Sequence, residues 1–204
     1  MYSIEDNINV VYPIERGIVT DWNAMEAIWD NIVTSRNVFV KERPALLTEP
    51  PLNPKENREK MTELFFEKFE SPSLYIANPA VLSLYGTGAT TGLVLDSGSS
   101  VTLAVPIYEG YAISPAIGRF DFGGRDLTDY FIKLLSKRKT LSETLSLRDY
   151  FSTFAGRNSF ERVKEQHCQI SFDFDQDLAK DTTRSAKSYT LPDGNKTVYF
   201  FKFI

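Results

Sequence analysis

A chain of 204 residues, 42% hydrophobic and 25% charged, has enough apolar side chains to bury a core, as one large domain or two small ones. Its formal net charge of −4, with no basic stripe, argues against nucleic acid or an anionic membrane as partner. Cys168 is the single cysteine, which excludes an intramolecular disulfide and points to a reducing compartment, and neither a signal-peptide layout nor an apolar run of transmembrane length is present.

In chain order, Asp21 reads as the N-cap of a helix in which Trp22, Met25, Ile28, Trp29, Ile32 and Val33 recur at helical spacing, with Asn23, Glu26 and Asp30 opposite. Residues 45–47 read as a short buried strand, ended by the prolines of Thr48-Glu49-Pro50-Pro51. Asn53 as cap, Pro54 at the first helical position and Glu56 at the third then launch a helix through Phe69, with Met61, Leu64, Phe65 and Phe69 as its apolar stripe. Residues 74–77 form a second strand, and Asn78-Pro79 repeats the cap-plus-proline signature before 80–85. Strands alternating with helices indicate an α/β architecture.

The next stretch organises the rest. Leu93 to Leu95 and Val101 to Val105 are apolar runs suited to strands in a core, joined through Asp96 and the small turn Ser97-Gly98-Ser99-Ser100. Successive backbone N–H groups in such a turn form an anion-binding concavity, and a carboxylate at the strand end can order water or a hydrated cation. After an extended, aromatic segment at 106–113, Gly123-Gly124 precedes a helix with Leu127, Tyr130, Phe131, Leu134 and Leu135 as its stripe, closed by Lys137-Arg138-Lys139 against the helix dipole. Residues 140–158 read as irregular or loosely helical, and 160–168 as helix again. Residues 189–191 and 197–204 flank Pro192-Asp193-Gly194-Asn195 as a hairpin with an apolar last strand. His167 and Cys168, adjacent and without further ligands, read as packing residues.

Six motifs carry a resemblance. Tyr12-Pro13-Ile14-Glu15, the run Leu47 to Pro54, Asn57-Arg58-Glu59-Lys60-Met61, Ala80-Val81-Leu82-Ser83-Leu84-Tyr85, Val105 to Tyr111 and Gly124-Arg125-Asp126-Leu127-Thr128-Asp129-Tyr130 occur in this order. Together they closely resemble actin and the actin-related proteins. The resemblance is dense from Tyr12 to about Arg138 and resumes around Lys164 to Asp177 and Tyr189 to Gly194. It implies an α/β fold: part of the ribonuclease H-like, actin-type ATPase fold with an inserted α+β subdomain. It also implies a divergent member shortened at both ends, lacking the small mobile subdomain and the first phosphate hairpin. On that scheme residues 1–11 do not match, 12–86 and 87–122 are parts of subdomains 1 and 3, and 123–204 is part of subdomain 4, divergent after about 139.

ATP or ADP with Mg²⁺ is the cofactor so implied, bound weakly and with no side chain ligating the metal directly. The nucleotide contacts carried over are Asp96, Ser97, Gly98 and Ser99 of the second hairpin, Gly124 of the loop near the cleft, and Lys164 and Glu165 on the adenosine side. Departures from the family pattern concentrate at the same place. Ser99 and Ser100 replace the hairpin's second aspartate and the glycine after it, Pro79 replaces a glutamine, Leu103 replaces a histidine, and Arg16 stands where actins carry a modified histidine. Asp96 is the one remaining match for a catalytic role, so hydrolysis is expected to be slow or absent.

Tyr85, Gly88 and Tyr111 match residues lining the groove that receives a neighbour's mobile loop in family filaments. With the receiving groove and no donor loop, head-to-tail growth is not expected. The expected function is therefore that of an actin-like, cytoplasmic cytoskeletal protein binding actin or actin-binding proteins and assisted by folding chaperones. An actin-fold ATP-binding protein or ATPase, completed by a longer chain or a partner, is the alternative.

Overall fold

The structure, a computed structural model, describes residues 11–36, 40–136, 154–168, 170–173, 175–176, 186–190 and 196–200. The chain divides into two compact units, 1–122 and 123–204. Among the described residues, no helix is long and apolar enough to cross a membrane.

The first unit opens with a hairpin that sequence patterning did not anticipate. Strands β1 (Ile14–Glu15) and β2 (Ile18–Val19) pair antiparallel around Arg16 and Gly17. Both turn residues have positive φ, 49° and 82°, the backbone of a two-residue turn whose twist suits a hairpin. Asp21 then caps α1 (Trp22–Ser35), accepting from the Ala24 N–H at 3.0 Å, as expected. The face of α1 is rotated from the expected one. Trp22, Trp29 and Val33 pack inward, while Ile28 and Ile32 are exposed, because Glu26 and Asp30 turn towards Lys68 and both accept its ammonium.

Strands β3 (Ala45–Thr48) and β4 (Leu74–Ala77) form a two-stranded parallel sheet, as strand–helix–strand connectivity requires. Between them lies α2 (Lys55–Glu63), which continues into a π-helical turn, Leu64–Lys68. The helix begins one residue later than expected and Asn53 is not its cap. Its side chain is spent elsewhere, donating to Glu49 at 3.0 Å and accepting from Asn57 at 3.4 Å. In the π turn the Phe69 N–H reaches back five residues to Leu64 O at 3.0 Å, so Phe65 and Phe69 lie with ring centroids 5.1 Å apart. Met61, Leu64, Phe65 and Phe69 are all buried, as their spacing predicts, and Trp29 meets Phe65 edge-on at 5.3 Å.

Asn78 caps α3 (Pro79–Gly86) through the Ala80 N–H at 2.9 Å, with Pro79 at the first position. Strands β5 (Gly92–Ser97) and β6 (Thr102–Tyr108) form the expected hairpin, and β6 also pairs with β7 (Tyr111–Ala112) and β8 (Gly118–Phe120). Leu103, Val105 and Ile107 alternate inward and form a core with Ala80, against which Val94 and Leu84 pack. Leu93 and Leu95 are not in that core: they are 68% and 70% exposed. Side chains on a strand alternate between faces, and α3 covers only the face that carries Val94.

In the second unit, α4 (Gly124–Ser136) packs on α5 (Phe154–His167). Phe131 and Leu135 are buried as expected, but Thr128 takes the place expected of Tyr130, which is exposed. The reason is angular: positions 124, 128, 131 and 135 follow one line along a helix, and 130 falls off it. Helix α5 starts at Phe154, so 154–158 takes the helical of the two readings expected for 140–158, whose residues 140–153 lie outside the described residues; Phe160 and Val163 are fully buried. Strands β9 (Ala186–Thr190) and β10 (Lys196–Phe200) pair antiparallel, as the hairpin reading requires. Its turn, the 201–204 end and the basic run 137–139 lie outside the described residues.

Phe65→Ala is expected to cost about 3–5 kcal/mol and Phe66→Ala, at a half-exposed position, less than about 1 kcal/mol. Denaturant unfolding of the two variants checks this, and equal losses would contradict the packing around the π turn.

Candidate functional site

The turn between β5 and β6 is built by a few bonds. The Gly98 N–H donates to Val101 O at 3.0 Å, and the Ser97 and Thr102 hydroxyls lie 3.0 Å apart, closing the strand ends. Thr102 in turn donates to Phe122 O at 2.8 Å. The N–H groups of Ser99 and Ser100 donate no hydrogen bond to the described residues, so this turn presents two free donors in succession.

Register aligns the groups around it. Asp96 faces Leu103 across the β5–β6 pair, and Leu103 faces Arg119 across β6–β8, so the three lie in one row on one face of the sheet. Asp96 is exposed. Leu103 is 6% exposed and packed among Ala80, Val105 and Ile107. Arg119 donates through Nη2 to Arg16 O at 2.7 Å and through Nε to Asp121 at 3.1 Å, while its Nη1 is buried without a partner.

Arg16 meets the same turn from the β1–β2 hairpin. Its Nη1 donates to Ser100 O at 2.7 Å, so a guanidinium stands on the β5–β6 turn itself. The sequence reading treated the position only as a departure. The signal for its geometry was there in the Arg16-Gly17 pair, whose glycine favours a tight hairpin turn. Nothing in the local pattern singled out Arg119.

Pro79 sits at the first position of α3, with no side-chain polar atom to offer. Tyr85, Gly88 and Tyr111 come together at one end of the first unit. The Gly88 N–H closes α3 on Tyr85 O at 2.9 Å, and Tyr85 lies over the β6–β7 turn so closely that a Cβ at Gly110 would stand 2.1 Å from its hydroxyl oxygen. Tyr111 adjoins that glycine and is 80% exposed.

Gly124, Lys164 and Glu165 belong to the second unit. Gly124 O accepts from Lys164 Nζ at 2.6 Å, and the same ammonium donates to the buried Thr128 hydroxyl at 3.0 Å. Lys164 therefore ties α5 to the first turn of α4, while Glu165, its neighbour in sequence, is exposed. The Gly123 N–H donates to Asp126 at 2.8 Å, which caps the start of α4. A cleft of about 360 Å³ in the first unit, lined by Gly17, Trp22, Met25, Trp29, Asn53 and Met61 among others, contains none of Asp96, Ser97, Gly98, Ser99, Tyr85, Gly88 and Tyr111.

A hydrated Mg²⁺ held at such a site needs one or two carboxylates besides the ligand's own oxygens. The β5–β6 turn offers Asp96 alone, with Ser99 in place of a second carboxylate and a guanidinium hydrogen-bonded to the same turn. Among the described residues no three His, Cys, Asp or Glu side chains gather as metal ligands. One carboxylate is the least that such a site needs, so this donor set would hold a hydrated divalent cation only weakly.

Two outcomes are expected in the second unit. Lys164→Met strands Gly124 O and the Thr128 hydroxyl and is expected to cost about 1–3 kcal/mol in a thermal or denaturant melt; an unchanged melt would remove Lys164's tying role. Burial pushes the Cys168 thiol up, with Lys164's charge opposing it more weakly. The folded chain then keeps a proton that the unfolded chain has released, so this contribution is fully present below the ordinary thiol range of about 8.5 and is lost as pH rises through and beyond it. Melts against pH should fall less steeply for Cys168→Ser than for the unaltered chain, and parallel curves would contradict the shift.

The Actin family model matches residues 2–202, which takes in the β5–β6 hairpin, the tyrosine end of the first unit and the α4–α5 pair. Motifs, α/β architecture and a match over more than half its length agree: the chain belongs to the actin family.

Proposed function

We propose that this protein is a divergent, actin-related cytoskeletal component of the cytoplasm, with a degenerate nucleotide site, that works by binding actin or actin-binding proteins and does not polymerise by itself. The observation that carries the reading is Leu103. It is buried among Ala80, Val105 and Ile107, so a position where polar chemistry would order an attacking water has become part of the apolar core. Pro79 removes a second side-chain polar group nearby in sequence to that core. Positioning of water and stabilisation of charge are what phosphoryl transfer requires of a protein. Neither Leu103 nor Pro79 supplies them.

The retained surface favours binding over catalysis. Tyr85 and Tyr111 are exposed beside the Gly110 turn, and tyrosines of this kind are common anchors of protein interfaces. Large exposed apolar side chains, Leu93 and Leu95 among them, make assistance from chaperones during folding part of the proposal.

One feature favours a second reading, an ATP-binding protein or ATPase completed by further chain or a partner: Asp96 remains exposed at the end of β5, beside two free N–H groups. Two measurements on chain shown to be folded by a cooperative melt separate the readings. Co-sedimentation with actin filaments should saturate, and Tyr111→Ala should weaken it about tenfold or more. Phosphate release from ATP should match the protein-free blank. Turnover above the blank would put the ATPase reading first, and failure of the folded chain to bind either actin or actin-binding proteins would remove the primary one.

A further inference from the structure

We propose that Arg16 supplies at the β5–β6 turn the positive charge that a divalent cation would otherwise bring, so that a phosphate oxyanion binds there to the Ser99 and Ser100 N–H groups without metal. The inference rests on reading this turn as a phosphate-contacting element, and it deepens that reading by assigning the counter-charge to a side chain.

Three observations carry it. First, the two successive N–H groups at Ser99 and Ser100 have no acceptor among the described residues. Second, Arg16 Nη1 is fixed on Ser100 O at 2.7 Å, at the same turn, and the Arg16 backbone is itself held by Arg119 through Arg16 O. A guanidinium stays charged at any accessible pH, and its planar fork suits phosphate oxygens. Third, Arg119 Nη1 is a buried N–H without an acceptor, on the residue that anchors Arg16. Buried unpaired donors are rare, and this one leaves a donor available to an anion oxygen or a water beside Arg16.

The carboxylates define why a cation is the poorer solution. Asp96 shares the row of Leu103 and Arg119, and Asp121 is engaged by Arg119 Nε. One free carboxylate holds a metal weakly. The guanidiniums of Arg16 and Arg119 both lie within bonding reach of this turn or of the residue that meets it, which offsets the negative charge of Asp96 and Asp121 towards an arriving phosphate. Such a site takes inorganic phosphates and the phosphate tail of a nucleotide by the same chemistry.

The test uses the full chain and inorganic pyrophosphate as probe, by calorimetry with EDTA and with Mg²⁺, with ADP and adenosine in parallel. Binding in EDTA at least as tight as in Mg²⁺ is expected, together with amide chemical-shift changes at Ser99 and Ser100. Arg16→Gln should lose about 10- to 100-fold in EDTA, and Arg16→Lys should recover part of it. Tighter binding of ADP than of pyrophosphate, with none of adenosine, would assign the site to a nucleotide's tail; the reverse order would assign it to free phosphates. Binding that appears only with Mg²⁺ would overturn the inference while leaving the nucleotide reading intact. No binding in either buffer by a folded chain would overturn both. If Arg16→Gln does not fold, the EDTA comparison and the amide shifts of the unaltered chain still decide.

Discussion

Two guanidiniums hold the first unit together across its greatest sequence distances. Arg119 on β8 bonds the carbonyl of Arg16, 103 residues earlier, and Arg16 bonds the carbonyl of Ser100, 84 residues later. Hydrogen bonds with a charged donor contribute about 1.5–3 kcal/mol each, more than surface ion pairs do. Their effect is on placement. They fasten the β1–β2 hairpin to the β5–β6 turn, where a Cβ added at Gly17 would meet Val101 Cγ1 at 3.7 Å. The Arg16 conformation that makes this possible has φ of 49°, a region that side chains seldom adopt, so the hairpin turn and the relay depend on one another.

Elsewhere in the unit, burial outweighs charge. Trp22, Trp29, Phe65 and Phe69 form a continuous series of tilted and edge-on rings between α1 and the π turn. Lys68 joins the same two elements through Glu26 and Asp30, but that cluster is open to solvent, where pairs contribute about 0–1 kcal/mol. The π turn reconciles the two. One extra residue lets Phe65 and Phe69 enter the core while Lys68 stays on the acidic side of α1.

Much of the fold was legible because its signals are local. Asp21 and Asn78 cap the helices that follow them, alternation of apolar residues marks β6, and the Phe65 and Phe69 spacing marks the buried face of the turn. What was misread depends on contacts made far along the chain. Asn53 has the composition of a cap, yet Glu49 and Asn57 compete for its side chain. Leu93 and Leu95 have the composition of core residues, yet α3 covers only the opposite face. At the candidate site, the turn from Asp96 to Ser100 and the burial-prone Leu103 could be picked out residue by residue. The Arg16–Ser100 and Arg119–Arg16 bonds could not, since no periodicity relates residues separated by most of a unit.

The chain's two tryptophans, Trp22 and Trp29, both lie in α1, with Trp29 against Phe65. The second unit has none. Intrinsic emission excited at the indole band is therefore a private optical channel of the first unit, sensitive to how tightly the π turn closes over α1. Far-ultraviolet dichroism, by contrast, sums the helices of both. Whether the halves of this molecule melt as one cooperative body or as two is thus written into where its indoles happen to fall, and no extrinsic label is needed to tell the cases apart.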